Sequence, residues 1–186
     1  MRTAVVAIAL LLAACKSPPP PHAFDALIGR SDVVTLTNLH PDEAASRLYA
    51  TNYQQIGLIP VCTRVALLER NAKRLRFTSE SNHKTYEYVW HSSAAEPLPD
   101  HLMRYFGTEC PRKALDALGE VDRRGVALGT PITGMTKQGI VFAMGYPPPH
   151  VNPSLDADRW IYWVGRFEQE VVVFDGSGRV IAIDKR

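Results

Sequence analysis

From residue 33 to residue 91 the chain sets short apolar runs between polar turns, with the alternation expected of half-buried strands. Strands are predicted over residues 33–37, 47–53, 61–69, 74–78 and 84–91, with a turn at His40-Pro41-Asp42 between the first two. In the last of them Tyr86, Tyr88 and Trp90 share one face, and Glu87 and Val89 take the other. Short strands at this spacing predict a small antiparallel, barrel-like unit of Src-homology-3-like topology. A short helix is expected next, over residues 97–106, with Asp100 as its N-cap and Leu102, Tyr105 and Phe106 turned to a core.

Beyond residue 110 the period changes from two to about 3.6. Pro111 suits a first helical turn, and Ala114, Leu115, Leu118 and Val121 recur at helical spacing up to Gly125. An extended link over residues 126–134 then leads to Thr136, the predicted N-cap of a second helix over 137–144. Ile140, Val141 and Met144 form its apolar face, and Gly145 with Pro147-Pro148-Pro149 stops it. Strands are predicted over 159–164, 168–174 and 179–183, the last two joined by the turn Asp175-Gly176-Ser177-Gly178. Trp160, Tyr162 and Val164 fall on one face of the first, Ile161 and Trp163 on the other. This order predicts an α+β layer, with two helices on one face of a three-stranded antiparallel sheet.

The opening of the chain has neither pattern. Arg2 precedes an unbroken apolar run over residues 4–14, about half the length a membrane-spanning helix needs. The basic start, the short run and the small residues at its end fit a secretory signal. Leu12-Ala13-Ala14-Cys15 resembles the lipobox of bacterial lipoproteins. That resemblance implies cleavage before Cys15 and acylation of its sulfur and its new amine. More than one acyl chain makes such an anchor stable. Lys16 at the following position fits passage to the outer membrane. Pro18-Pro19-Pro20-Pro21 favours polyproline II, a stiff spacer between membrane and folded part or, alternatively, a ligand for a proline-binding domain. The organisation read from the chain is a signal over 1–14, a lipidated tether over 15–30, a β-rich unit over 31–107 and a second unit over 108–186.

Composition narrows the function classes. Hydrophobic residues make up 46% and charged residues 22%, which excludes a disordered chain. A net charge of +2 gives little attraction to phosphate and argues against a nucleic-acid partner. The sequence contains no His-Glu-x-x-His, Gly-x-Ser-x-Gly, phosphate-loop or Cys-x-x-Cys pattern. No catalytic, cofactor-binding or metal-ligating set is therefore expected, and Asp156 and Asp158 read as loop carboxylates. Cys62 and Cys110 could form a disulfide in an oxidising compartment or remain two buried thiols.

Two surfaces are candidates for binding. Arg70, Lys73 and Arg74, with Arg64 and Arg76, make the hairpin near residue 71 basic. They could contact anionic head groups or an envelope polymer, or serve as a solvated turn that blocks edge pairing. Tyr146, Trp160, Tyr162 and Trp163 are candidates for holding a protein partner, or they are core beneath the β-rich unit. The Pro-rich loop over 145–158 is a further candidate binding element.

Several motifs recur in a fixed order behind the lipobox. They are Gly134-Met135-Thr136, Val141, Gly145-Tyr146-Pro147, Trp160 with Tyr162, Val173-Phe174-Asp175, Gly178-Arg179-Val180 and Ile183. Over residues 111–186 the chain resembles the SmpA/OmlA (BamE-like) family of outer-membrane lipoproteins. The resemblance implies a two-helix, three-stranded sheet domain and a lipid-anchored position on the periplasmic side of the outer membrane. It also implies partners in the outer-membrane assembly machinery and a non-catalytic, protein-binding role. Similar helix–helix–sheet units occur in secreted inhibitors of β-lactamase. Inhibition of a periplasmic enzyme is thus one alternative role, and recognition of cell-wall glycan or lipid head groups by the β-rich unit is another. Residues 31–107 lie outside the resemblance.

Overall fold

A computed structural model describes residues 21–51, 54–94 and 96–186. Its elements run in the order of a 3-10 helix Ala23–Leu27, β1 Val34–Thr35, β2 Arg47–Tyr49, β3 Val65–Arg70, β4 Arg74–Ser79, β5 Thr85–Val89, α1 Leu98–Leu102 and β6 Phe106–Gly107. Then follow α2 Arg112–Asp116, α3 Glu120–Leu128, α4 Lys137–Met144, β7 Arg159–Trp163, β8 Gln169–Phe174 and β9 Val180–Lys185. The fold is mixed α+β. Among the described residues no helix is long and apolar enough to cross a membrane.

The first unit is built on a sheet of order β2-β5-β4-β3. Alternation works as expected here: Val65 and Leu67, Leu75 and Phe77, and Tyr86 and Tyr88 are all buried on one face. They pack against Phe24, Leu98, Leu102, Tyr105 and Phe106 in one apolar cluster. Phe77 lies 5.3 Å from Phe106 and 5.7 Å from Tyr86, ring centre to ring centre. The expected barrel does not close. β2 joins β5 in parallel, Arg47 opposite Glu87, and occupies the edge away from β3. Closure would need β2 beside β3, and a three-residue strand at the far edge cannot supply that pairing.

Four local expectations also change. The strand predicted over 33–37 shrinks to Val34–Thr35, paired with β6; the Leu36 N–H adds one more bond of that register, to the Tyr105 carbonyl. The strand predicted from residue 61 starts at Val65, because Cys62 turns the chain with φ +64°. The helix predicted over 97–106 stops at Leu102, with Pro97 as its N-cap; Asp100 binds His22 Nε2 at 2.9 Å, and Phe106 enters β6. Residues 52 and 53 of the predicted strand 47–53 lie outside the described residues.

In the second unit the predicted first helix is two. α2 ends at Asp116, and α3 runs from Glu120 through Gly125 to Gly129, whose φ is +64°. Gly125 is not a terminator. A Cβ there would lie 2.2 Å from Met135 Sδ, so glycine lets the chain cross α3 closely. α4 starts as predicted, with the Thr136 hydroxyl oxygen accepting from the Gly139 N–H at 3.0 Å. Ile140, Ala143 and Met144 then pack on Trp160, Tyr162, Val172, Phe174 and Val180 of the antiparallel sheet β7-β8-β9. Trp160 and Phe174 meet edge to face at 4.8 Å.

The two apolar clusters are separate, and a polar seam joins them. The last carbonyls of a helix have no partner within it. Those of α4 are taken largely by side chains of the first unit. The backbone N–H of Asn38 donates to the Phe142 carbonyl at 2.9 Å, while the side chains of His40 and Gln54 donate, His40 Nε2 to Ala143 at 2.8 Å and Gln54 Nε2 to Met144. Asn38 Nδ2 also reaches the Val126 carbonyl of α3 at 2.7 Å. From within the second unit the Tyr162 hydroxyl closes the set on Gly145 at 3.1 Å. Cys62 and Cys110 form a disulfide, Cα to Cα 5.0 Å, between the turn before β3 and the segment entering α2. On the chain-entropy account, closing their sequence separation of 48 contributes about 3–4 kcal/mol.

Candidate functional site

Because α4 buries one face on its sheet, the opposite face is left to line a groove. Lys137, Gln138 and Val141 come from α4, Met103 and Arg104 from the turn after α1, and Tyr146 from the loop after α4. Between them lies a hollow of about 560 Å³. That volume falls in the usual range for binding sites. Pro111 and Gln138 also border a second hollow of about 520 Å³ along α2. The two hollows therefore adjoin, and the seam that locks the units together holds their walls in place.

The lining of the groove combines apolar and cationic residues. Met103 and Leu155 are 43% and 46% exposed. Lys137 Nζ donates to the carbonyls of Leu155 at 3.1 Å and Asp156 at 2.8 Å, and lies over the rings of Trp160 and Phe174. These partners are neutral, so its charge is not cancelled. Arg104 is paired with Glu96 and stacks 5.2 Å over the Tyr146 ring. Arg112 and Lys113 are exposed and have no carboxylate partner among the described residues. Glu109 is the acidic residue in the lining of the second hollow.

The four aromatic candidates do not form one exposed patch. Trp160 and Tyr162 are 1% and 0% exposed and belong to the second core, because that face of β7 lies under α4. They are not available to hold a partner. Trp163 is half-buried on the other face and its carbonyl accepts the Gln54 N–H at 2.7 Å. Tyr146 alone of the four has a partly open side chain lining the groove.

The basic hairpin is mostly neutralised. Arg70 binds Asp25 at 2.5 Å, Arg74 binds Glu87 at 3.1 Å, and Arg76 binds Glu69 at 2.7 Å. Lys73 has no carboxylate partner among the described residues. Cys15 lies outside the described residues. Among them, no group of three or more His, Cys, Asp or Glu side chains converges as a metal site.

Sequence reasoning did not find a buried relay behind Arg104. The Tyr88 hydroxyl meets His101 Nε2 at 2.9 Å, and His101 Nδ1 meets Glu96 Oε1 at 3.1 Å. Glu96 can only accept, so Nδ1 donates and Nε2 accepts from Tyr88. Burial holds the His101 pKa below its ordinary value and pushes that of Tyr88 well above. Both residues are 2% exposed, and the relay braces Glu96 and through it Arg104 at the groove wall. Tyr88 and His101 come from different elements, β5 and α1, and no motif links them.

No family model, curated protein or solved structure matches the chain.

Proposed function

We propose that this chain is a lipoprotein of the SmpA/OmlA (BamE-like) type, anchored through Cys15 to the periplasmic side of the outer membrane. It binds partner proteins as a non-catalytic scaffold in outer-membrane protein assembly or envelope maintenance. The groove along the outer face of α4 is the observation that carries this reading. It is open, partly apolar and walled by both units, as a protein-docking surface requires. The lipobox supports the address. The helix and strand order over Arg112–Lys185 supports the family type, with the first helix divided into α2 and α3.

The test is to isolate the intact, tagged chain from detergent-solubilised membranes after crosslinking. Co-isolated outer-membrane assembly subunits, and release of Cys15→Ser into the soluble fraction, are expected. Envelope fractions free of any crosslinked protein would refute the scaffold. A Cys15→Ser variant that stays membrane-bound would refute the anchor.

A further inference from the structure

We propose that the occupant of the groove is an acidic segment of a partner protein that also carries apolar side chains. This rests on the scaffold reading and specifies the chemistry of its partner. The first argument is the handling of charge. At the β3–β4 hairpin Arg70, Arg74 and Arg76 are each matched to a carboxylate within 3.1 Å. Along the groove Lys137 has only carbonyl oxygens, and Arg112 and Lys113 have no carboxylate among the described residues. Among the residues lining the two adjoining hollows, Lys137, Arg112 and Lys113 thus stand without a carboxylate partner, and Glu109 is the one acid in that lining. A carboxylate-rich occupant would complete these charges, whereas a basic one would be repelled.

The second argument is the mixed chemistry of the lining. Met103, Val141 and Leu155 share it with Thr37, Gln138 and the head of Lys137. An acyl chain offers nothing to those polar groups, whereas a polypeptide brings apolar side chains and backbone hydrogen-bonding groups together. Met103 adds an adaptable contact, since its thioether chain can repack around different side chains.

A photoreactive residue at Met103, in the full chain in cells, tests this when the crosslinked fragment is sequenced by mass spectrometry. Ile181, exposed on β9 away from the groove, serves as the control position. The crosslinked fragment should be a net-acidic protein segment with interspersed apolar residues. Arg112→Glu with Lys113→Glu should lower its yield about tenfold, the effect of two exposed attractions turned repulsive. Both sites are exposed helix positions, and an unchanged unfolding midpoint would confirm that the fold survives. A neutral or basic fragment, a lipid adduct, or a yield indifferent to the charge reversal would overturn the proposal and leave the scaffold reading standing. Protein adducts at Ile181 alone would move the scaffold's contact to another face. Adducts at neither position would refute the scaffold reading itself.

Discussion

Asn38 carries three jobs on one short side chain. Its amide donates to the carbonyls of Val126 at 2.7 Å and Ala143 at 3.3 Å, and its Oδ1 accepts the Val61 N–H at 2.9 Å. Asn38→Ala leaves these groups buried without it and should cost about 1–3 kcal/mol in denaturant unfolding. A loss below about 0.5 kcal/mol would contradict the seam as described. His40 and His101 predict a pH dependence. Burial holds both below the ordinary value of 6.5; for His40, hydrogen bonds to the Ala143 and Gln55 backbone only partly offset this. Below that value the unfolded chain takes up protons that the folded chain refuses. Stability should therefore be full above pH 6.5 and fall as pH drops through 6.5 towards the lower folded values. Unfolding followed from about pH 8 to about pH 5 should show this slope, reduced in a His40→Gln, His101→Gln double variant. An equal slope in that variant would assign the acid sensitivity elsewhere.

The elements differ in how far they could be read from the chain. α4 was legible because Thr136, Ile140, Met144 and Gly145 carry cap, face and stop within ten residues. Its close partner was not. Asp122 is buried, and its carboxylate accepts the Thr136 N–H at 2.7 Å and hydroxyl at 3.1 Å, linking the start of α4 to α3. Gly139 makes room for it, since a Cβ there would lie 2.1 Å from Asp122 Oδ1 and 2.9 Å from its Cβ. Gly139→Ala should thus destabilise by about 1–3 kcal/mol, despite the gain of up to about 1 kcal/mol in helix propensity. A stabilised variant in thermal unfolding would show that α3 can move aside. The barrel expectation failed for a different reason. Alternation put Tyr86 and Tyr88 of β5 on one face, which is the buried one, but strand order depends on where β2 lands. That is decided by the Asp42 turn, by Ser46 at φ +51° and by pairing with β5 about forty residues away.

At the scale of the whole molecule, two apolar cores are held as one body by hydrogen bonds to the end of α4 and by one disulfide. The groove exists because of that docking. The exposed residues of its lining come from α2, α4 and nearby loops, and are ordinary surface residues when read alone. In the sequence the aromatics of β7 stand out instead, and alternation cannot tell which of their faces a helix will cover. Gln138 offers the most direct test, since it is exposed and borders both hollows. The measurement is the yield of crosslinked protein from membranes carrying Gln138→Trp in the full chain. Filling the groove at this point should reduce partner capture at least about tenfold with the unfolding midpoint unchanged. Undiminished capture by the folded variant would contradict the groove as the site of binding.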